Sequence, residues 1–585
     1  MMQAVYQRWL EKVPKESPLY RDLQSLSTHP EEIEQRFSTT LDFGTGGLRG
    51  LMGAGTNRLN IYTIRKATRA LGQFVLDQWR QRSHDTRDIP AIAIGYDCRH
   101  DSQLFAYEAA RTLAAMNIRS YVAKALCPTP VVSFSVRHLQ AAAGIMITAS
   151  HNPPAYNGYK VYGSDGCQLL PDAAGQVHCN MDTIADVFDI PVQTVEEARK
   201  AALLLPIPDA TLAAYTNAVV RDMMKSVVAP ATRRTLRVVY TPLHGTGLVP
   251  ISEVFAQSGY TQFATVAAQS TPDPDFSTVK SPNPEEHEAL TLAIAEAKVK
   301  EASLVLATDP DADRVGAAVR QADGHYVQLT GNQLGALLID FLVETARELG
   351  TELGNGVLIK TIVTGNLGAA IATAAGLQII DTLTGFKYIG HEIGQLEQKG
   401  NSPFVFGYEE SYGYLAAPFV RDKDAVQICL LTAEATAYWR QKGITLVERL
   451  AALQSHYGFH LEALLNFALA GEDGVAKMHD VLAQLRQSPL LSTDSSLTAV
   501  EDYEIRVRRD YHVENAHGDY TESPLTLPES DVLKFFYSDG STVAVRPSGT
   551  EPKLKAYVAV IAPSDQGAQS RLSAYETALH ERVRI

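Results

Sequence analysis

One pattern recurs along this chain and limits the folds that are open to it. A short β-branched apolar run ends in a glycine-containing loop, and a helical segment follows. The three copies are AIAIGYDCRHDSQLFAYEAARTL from Ala91, LRVVYTPLHGTGLVPISEVFAQSG from Leu236 and GVLIKTIVTGNLGAAIATAAG from Gly356. Because strands that alternate with helices form parallel or mixed sheets covered by helices, we expect three related α/β domains.

The last part of the chain follows a different pattern. In DVLKFFYSDGSTVAVRPSGTEPKLKAYVAVIA an Asp539-Gly540 hairpin turn separates apolar runs, and apolar residues then alternate. This predicts an antiparallel α+β domain closed by a terminal helix. A length of 585 residues also suits several domains. The predicted boundaries are a helical arm at 1–40, α/β domains at 41–210, 211–323 and 324–460, and the α+β domain at 461–585.

Composition argues against several functional classes. Lys and Arg total 52 against 66 Asp and Glu, a net charge of −14, which disfavours a nucleic-acid binder. The five cysteines include no C-x-x-C pair, so a cysteine metal site is disfavoured and a reducing compartment is favoured. The sequence has no apolar run of ~18 residues and no secretory signal at its start. We therefore expect a cytoplasmic protein with no nucleic-acid or membrane partner.

The segment ATDPDADRVG gives the sharpest single signal. It follows the strand-like run SLVL and carries Asp309, Asp311 and Asp313 at alternate positions. Three carboxylates this close repel one another unless a divalent cation lies between them. An EF-hand would need Gly and Glu at positions that hold Arg314 and Arg320, so we predict Mg²⁺ instead. The alternative is a solvated acidic turn.

Two further loops have the composition of anion-binding turns. DFGTGGLRGLMGAG surrounds Arg49 with glycines, which allow backbone amides to approach an anion closely. VRPSGTEPK follows a strand and offers Arg546, Ser548, Gly549 and Thr550. Each loop is also a common type of turn, so neither motif alone establishes a ligand.

Polar side chains follow two more strand-like runs. GYEESYGY carries Glu409 and Ser411, which can hydrogen-bond to sugar hydroxyls. The alternative is that this segment is only a solvated acidic turn. TLTGFKYIG places Lys387 after a glycine turn, where an amine can serve an anion or a proton transfer, or remain a surface charge. FVRDKDAV, from Phe419, either borders the sugar loop or begins a helix.

The segment TASHNPPAYNGYK sets Ser150 beside His151 and leaves its role open. A serine hydrolase would need a G-x-S-x-G elbow, which is absent, and adjacent side chains seldom point at each other for proton transfer. A sugar-phosphate-binding protein without catalysis is a second alternative. We expect turnover that is lost in a Ser150→Ala variant to separate these classes.

Taken together, six ordered motifs resemble those of the α-D-phosphohexomutase superfamily, and more narrowly of its phosphoglucomutase/phosphopentomutase branch. They are GTGGLRG, TASHNPPAYNGYK, ATDPDADR, TGFKYIG, GYEESYGY and RPSGTEPK, and they span the chain from about Leu41 onward. The resemblance implies a heart-shaped arrangement of three related mixed-sheet α/β domains and a C-terminal α+β domain around one cleft. In chain order, the four domains would carry the phosphoserine, metal-binding, sugar-binding and phosphate-binding loops.

The resemblance also implies roles for individual residues. Ser150 would be the phosphoserine, and its phosphate would share Mg²⁺ with Asp309, Asp311 and Asp313. Lys160 and Lys387 would handle the proton of a sugar hydroxyl, which requires a depressed pKa. Catalysis would also involve Arg49 and His151. The residues implied to bind substrate are Thr45, Asn152, Arg314, Gly385, Glu409, Ser411, Arg546, Ser548, Gly549 and Thr550.

The reaction implied by the resemblance to the bacterial α-phosphoglucomutases converts glucose 1-phosphate into glucose 6-phosphate. It proceeds through phospho-Ser150 and a glucose 1,6-bisphosphate intermediate that also acts as activator. Pentose phosphates and mannose phosphates are the alternative substrates. We expect a monomer or a weak homodimer.

Overall fold

The chain divides into two compact units. The computed structural model describes residues 2–44, 46–81, 89–351, 353–400, 402–468, 474–488, 495–511, 520–548 and 553–583. The first unit comprises Met1–Gly331 and Phe386–Thr445, and the second comprises Asn332–Gly385 and Leu446–Ile585.

The chain begins with three short helices that pack onto the first α/β domain. They are α1 (Met2–Lys12), α2 (Pro18–Ser25) and α3 (Pro30–Phe37). Their apolar faces bury Trp9, whose ring makes edge-on contacts with Phe37, Tyr62 and Phe188 at centroid distances of 5.4 to 5.6 Å. Aromatic pairs of this geometry add to the stabilisation from burial alone.

The first α/β domain contains a six-stranded mixed sheet in the order β1-β5-β4-β2-β3-β6. Its elements are β1 (Gly47–Leu51), α4 (Ile61–Gln81), β2 (Ala91–Tyr96), α5 (Ser102–Ala114), β3 (Arg119–Val122), α6 (Thr129–His138), β4 (Ala143–Ile147), β5 (Tyr156–Tyr162), α7 (Pro171–Asp182), α8 (Val195–Lys200) and β6 (Leu204–Pro206). Strands β2, β3, β4 and β6 are parallel, whereas β5 is antiparallel to β4. The segment that contains Ser150 is therefore the loop of the β4–β5 hairpin.

The second α/β domain has a sheet of order β11-β10-β9-β7-β8. Its elements are α9 (Asp209–Met223), α10 (Pro230–Thr235), β7 (Arg237–Thr241), α11 (Leu248–Gln257), β8 (Gln262–Thr265), α12 (Ala267–Ser270), α13 (Thr291–Lys300), β9 (Leu304–Thr308), β10 (Val315–Arg320) and β11 (Tyr326–Gln328). Strands β7, β8 and β9 are parallel, and β10 returns antiparallel to β9. The aspartates again lie in the loop of the hairpin that ends the parallel part.

The third stretch of the chain contributes to both units. Its elements are α14 (Gly331–Glu348), β12 (Val357–Thr361), α15 (Leu367–Ala374), β13 (Gln378–Thr382), α16 (Phe386–Lys399), β14 (Phe404–Glu409), β15 (Gly413–Leu415), α17 (Ala425–Gln441) and α18 (Leu446–Tyr457). Strands β12 and β13 pair in parallel within the second unit. Strands β14 and β15 form an antiparallel hairpin within the first unit.

The C-terminal domain has a seven-stranded antiparallel sheet in the order β16-β22-β21-β20-β17-β18-β19. Its elements are β16 (Phe459–Ala468), α19 (Gly474–Gln487), β17 (Leu497–Asp502), β18 (Val507–Tyr511), β19 (Tyr520–Pro524), β20 (Leu533–Tyr537), β21 (Thr542–Pro547), β22 (Lys553–Ala562) and α20 (Asp565–Arg582). The predicted hairpin turn joins β20 to β21, with Gly540 at φ +83°, a conformation that glycine adopts without a steric cost. The antiparallel sheet and the closing helix are as predicted.

None of the helices in the described ranges combines the length and the apolar character that crossing a bilayer requires.

Replacing Trp9 with alanine is expected to lower the free energy of unfolding of the first unit by about 3–5 kcal/mol, because the indole is 2% exposed and fills an aromatic cluster. Urea unfolding followed by circular dichroism measures the change. The control is Leu104→Ala on α5, where the side chain is 50% exposed and the expected change is below about 0.5 kcal/mol. A loss of under about 1 kcal/mol at Trp9 would contradict this account of the helical arm.

Candidate active site

Three hairpin loops of the first unit meet at one place. The β4–β5 loop touches the β9–β10 loop where the Ser150 hydroxyl donates a hydrogen bond of 2.6 Å to Oδ2 of Asp309. The β9–β10 loop meets the β14–β15 turn through a bridge between Arg314 and Gly413. The site is therefore assembled from the same position in three structurally similar hairpins.

Asp309, Asp311 and Asp313 form a compact buried cluster, with one carboxylate oxygen from each lying within 4.8 Å of the others. They are 0%, 0% and 2% exposed. The ammonium of Lys160 lies 2.7 Å from Asp311 and 2.9 Å from Asp313, and that of Lys423 lies 3.2 Å from Asp313. Among the described residues, Oδ1 of Asp311 and Oδ1 of Asp313 are buried and accept no hydrogen bond. Buried carboxylate oxygens without a partner fit a metal ion.

The pKa values of the three carboxyl groups are shifted in different directions because their neighbours differ. Burial, followed by repulsion from Asp313 and Asp311, raises the pKa of Asp309 well above its usual range. Burial would raise the pKa of Asp311 and Asp313 as well, but the lysine charges outweigh it and lower both values. A divalent cation would relieve the repulsion that acts on Asp309.

Backbone contacts fix the loop that carries the aspartates. Oδ1 of Asp309 accepts hydrogen bonds of 3.0 Å from the amides of Asp313 and Arg314, so the loop closes on its own first residue. The Thr129 amide and hydroxyl donate to the main-chain oxygen and Oδ2 of Asp311 at 2.8 and 2.7 Å. From the other side, Gly245 approaches the backbone of Pro310 so closely that a Cβ would lie 2.4 Å from its Cα.

The serine loop holds Ser150 in a left-handed conformation, with φ +52°, and leaves it 3% exposed. The Ser150 amide donates to the hydroxyl of Thr148 at 2.8 Å. His151 Nδ1 lies 3.2 Å from Ser150 Oγ, so the expectation that these neighbours point apart is wrong. Burial, followed by the charges of Arg314 and Arg49, lowers the pKa of His151 well below its usual range, which keeps the ring neutral.

The two lysines predicted to move protons have opposite environments. Burial would lower the pKa of Lys160, but the charges of Asp311 and Asp313 outweigh it and raise the pKa well above its usual value. Lys387, at the start of α16, is 8% exposed, and burial lowers its pKa to about 8. The Cys167 thiol donates to the Lys387 carbonyl at 3.2 Å, which ties α16 to the first domain.

Lys423 belongs to the site, although the sequence pattern alone gave it no role. It is flanked by Asp422, which accepts a hydrogen bond of 2.9 Å from the Tyr162 hydroxyl, and by Asp424, which caps α17. The stretch FVRDKDAV therefore both begins a helix and borders the site. The signal in the sequence is a lysine between two aspartates directly before a helical run. The start of a salt-bridged helix shows the same pattern, so the pattern alone does not identify a site residue.

The remaining predicted residues of the first unit lie around this centre. Arg49 is exposed and donates to the Asn152 side chain at 3.0 Å. Arg314 forms an ion pair with Glu285. Glu409, at the end of β14, is 5% exposed, and Ser411 lies in the following turn.

Other predicted residues lie elsewhere or beyond the described ranges. Gly385, Arg546 and Ser548 belong to the second unit. The Arg546 guanidinium donates to the Tyr557 hydroxyl at 2.9 Å, and the Ser548 amide donates to the carbonyl of Lys553 at 2.7 Å. The residues that lie outside the described residues are Thr45, Gly549 and Thr550.

Family models identify the class of protein that this fold and site define. They describe phosphoglucomutase/phosphomannomutase domains. The matches are alpha/beta/alpha domain I at residues 40–187, domain II at 213–324, domain III at 330–457 and the C-terminal domain at 464–571. Together with the mixed sheets and the antiparallel C-terminal sheet, they match the predicted four-domain phosphohexomutase architecture.

Relatives of known name extend over almost the full chain. A phosphoglucomutase of Staphylococcus epidermidis RP62A is 36% identical over 553 residues, which cover 94% of this chain and 96% of the relative. A phosphoglucomutase of Staphylococcus haemolyticus is 38% identical over 529 residues, covering 90% and 91%. The chain belongs to the phosphoglucomutase/phosphomannomutase family, which confirms the resemblance to the α-D-phosphohexomutase superfamily.

Solved structures of lower identity share the fold. The open form of Paramecium parafusin, a phosphoglucomutase, superposes with a TM-score of 0.66 at 17% identity, covering 93% of this chain and 95% of that chain. A phosphoglucomutase/phosphomannomutase family protein from Burkholderia thailandensis gives 0.64 at 18% identity, covering 92% and 97%.

Gly245→Ala is expected to displace the aspartate loop, because the new Cβ would collide with the Pro310 backbone. Overpacking of this kind costs about 1–3 kcal/mol. Because this strain falls on the aspartate loop, binding of a divalent cation is expected to weaken about tenfold, as isothermal titration calorimetry with Mg²⁺ as the probe would measure.

The matched control for this substitution is Gly175→Ala in α7, where a Cβ meets nothing within 4 Å. It is expected to bind the divalent cation as tightly as the wild type does. Equal affinity in Gly245→Ala would contradict the close approach that the structure gives to these two backbones.

Proposed function

We propose that this chain is a phosphoglucomutase that interconverts glucose 1-phosphate and glucose 6-phosphate through phospho-Ser150 and glucose 1,6-bisphosphate. The observation that carries the proposal is the 2.6 Å contact of the Ser150 hydroxyl with the buried aspartate cluster. The phosphoglucomutase relatives at 36% and 38% identity support the choice of substrate.

The metal of this site is proposed to be Mg²⁺, held by Asp309, Asp311, Asp313 and an oxygen of phospho-Ser150. The oxygen-only donor set and the two buried carboxylate oxygens that accept no hydrogen bond suit a hard divalent cation. When bound, Mg²⁺ neutralises charge on the phosphoryl group and polarises it for transfer. Lys160 and Lys423 balance the carboxylate charge that remains.

The serine loop is proposed to hold the transferring phosphoryl group by electrostatic stabilisation, which dominates catalysis of this reaction. Arg49 and Asn152 already share a hydrogen bond beside Ser150, so they can contact the phosphate oxygens together. Arg314 brings a second guanidinium from the metal loop. His151 Nδ1 lies 3.2 Å from Ser150 Oγ and can form a hydrogen bond there.

Proton transfer is assigned to Lys387 because its pKa of about 8 lets the amine accept a proton near neutral pH. In the first half-reaction the bond between phosphorus and Ser150 Oγ breaks, and a bond from phosphorus to a sugar oxygen forms. The sugar hydroxyl gives its proton to Lys387, and the released Ser150 oxygen takes up a proton, which restores the serine hydroxyl. In the second half-reaction the bond between phosphorus and the sugar oxygen at the other end of the reoriented bisphosphate breaks, and a bond from phosphorus to Ser150 Oγ forms. The serine hydroxyl loses its proton, and the leaving sugar oxygen takes a proton from Lys387.

Substrate recognition is proposed to use both ends of the sugar phosphate. Glu409 and Ser411 would bind the sugar hydroxyls. The phosphate that does not react would bind in the loop after β21. The residues proposed for that phosphate are Arg546, Ser548, Gly549 and Thr550, and Thr45 and Gly385 are proposed to contact the substrate from their glycine-rich loops.

Domain boundaries, assembly and location complete the proposal. The domain boundaries are those given from the sequence, with domains at 41–210, 211–323, 324–460 and 461–585. We propose a monomer or weak homodimer that acts in the cytoplasm on sugar phosphates, without nucleic acid. Its five free cysteines suit a reducing compartment.

Among glucose 1-phosphate, ribose 1-phosphate and mannose 1-phosphate, glucose 1-phosphate is expected to give the highest kcat/KM with Mg²⁺ and a trace of glucose 1,6-bisphosphate. Ser150→Ala is expected to lower kcat by more than about 10³-fold, because it removes the phosphoryl carrier. The control is Ser258→Ala, which removes another buried hydroxyl, at the end of α11. If the pentose or mannose phosphate is preferred, the glucose assignment is wrong. If fully phosphorylated enzyme turns over none of them, the mutase assignment is wrong.

Between pH 7 and 9, kcat is expected to rise with a midpoint near pH 8, because Lys387 loses its proton and becomes a base in this range. Lys387→Gln is expected to be slower and to lose this pH dependence. Lys124→Gln removes a half-exposed lysine that pairs with Asp209, and it should keep the wild-type profile. An unchanged midpoint in Lys387→Gln would assign the proton transfer to another group.

A further inference from the structure

We propose that Arg99 is a positioning residue for the phosphoryl-transfer step: its guanidinium fixes the backbone of the serine loop so that Ser150 Oγ reaches the aspartate cluster. This inference rests on the proposed function and adds a residue to it. Arg99 follows β2, in a segment whose sequence pattern indicates only a strand followed by a helix.

The guanidinium of Arg99 gathers four backbone oxygens of the serine loop. Nη2 donates to the carbonyls of Ser150 and Asn152, each at 2.5 Å. Nη1 donates to the carbonyls of Pro153 and Tyr156 at 2.9 and 3.1 Å. Because a planar guanidinium presents its N–H groups in a fixed fork, these four contacts specify the path of the loop rather than only its charge.

The loop needs such support at Ser150. A non-glycine residue at φ +52° is held in a sparsely populated conformation, which persists only when the surroundings over-determine it. On the amide side, Ser150 donates to Thr148 at 2.8 Å. On the carbonyl side, its oxygen is held by Arg99. The two contacts lie on either side of Ser150 and fix the direction of its Cα–Cβ bond, from which the hydroxyl reaches Asp309.

Asp97 supports the contact that Arg99 makes. Its carboxylate lies 3.4 Å from Nε of Arg99 and accepts a hydrogen bond of 2.7 Å from the Ser102 hydroxyl. Its Oδ1 also accepts a hydrogen bond of 3.0 Å from the Arg99 amide. The side chains of Asp97 and Arg99 are both fully buried, so this ion pair is shielded from solvent.

A residue of the second domain covers the guanidinium. The Phe276 ring lies 4.9 Å from the Arg99 guanidinium carbon, and the residue is 1% exposed with φ +50°. A bulky aromatic residue is rarely found in this left-handed region. The contact joins the serine loop to the domain that carries the aspartates, so the position of Ser150 is set relative to both.

Arg99 acts through the loop, since the four hydrogen bonds of its guanidinium all go to backbone carbonyls. A purely structural arginine would lower stability when replaced and leave the chemistry of the folded enzyme unchanged. A positioning arginine would lower kcat in enzyme that is still folded, because small misplacements of a reacting atom cost up to about 10²-fold.

The experiment compares Arg99→Lys with wild type, using glucose 1-phosphate, Mg²⁺ and glucose 1,6-bisphosphate below the melting temperature of each protein. Lysine keeps the charge but cannot reach four carbonyls. We expect kcat to fall about 10²-fold with little change in KM. Phosphorus NMR of phospho-Ser150 is expected to show a shifted or broadened resonance.

The matched control is Arg233→Lys, a buried arginine that pairs with Glu434 at 2.7 Å in the same unit. It is expected to lower stability while kcat and the phosphoserine resonance stay as in wild type. If folded Arg99→Lys has the kcat of the wild type, the role of Arg99 is wrong and the proposed function stands. If the wild-type enzyme itself shows no turnover, both the proposed function and the role of Arg99 are wrong.

A second variant keeps the test decisive if Arg99→Lys does not fold. Phe276→Leu removes the ring that holds the guanidinium against the four carbonyls, so these hydrogen bonds are expected to loosen while the arginine itself is kept. A lower kcat with unchanged KM and an altered phosphoserine resonance supports the inference. Wild-type values for all three quantities overturn it.

Discussion

Mutual repulsion among three buried carboxylates is the constraint on which the first unit depends. Asp309, Asp311 and Asp313 are almost inaccessible to water, and bringing like charges together in such surroundings is costly. Two lysines supply part of the compensation. Lys160 comes from the first domain and Lys423 from the segment before α17, so separate parts of the chain are drawn to one point by charge.

The same constraint explains why the site lies on hairpins. In each of the first two domains, one strand of the parallel set is followed by an antiparallel strand, and the two form a hairpin. The loop of that hairpin carries Ser150 in the first domain and the three aspartates in the second. A hairpin anchors both ends of its loop in the sheet, which leaves less freedom than a loop leading into a helix. This rigidity suits a reaction in which catalysis depends on placement.

Much of the architecture could be predicted from the sequence, because the strand, glycine loop and helix pattern repeats and the Asp539-Gly540 turn is a strong local signal. The aspartate cluster was also predictable, because carboxylates that alternate directly after an apolar strand repel one another unless a cation lies between them. Contacts between distant segments were not predictable. The high pKa of Lys160 depends on two aspartates about 150 residues away, and the role of Lys423 depends on Asp313.

The route of the chain has a consequence for synthesis. The first unit is discontinuous, since Phe386–Thr445 joins Met1–Gly331 only after an excursion through the second unit. Domains fold largely in order as the chain leaves the ribosome. The loops that carry Ser150 and the three aspartates can therefore form early, before Lys423 has been synthesised. Until that lysine emerges, a nascent chain holds its acidic centre with one compensating cation fewer, and early binding of a divalent metal would protect this intermediate.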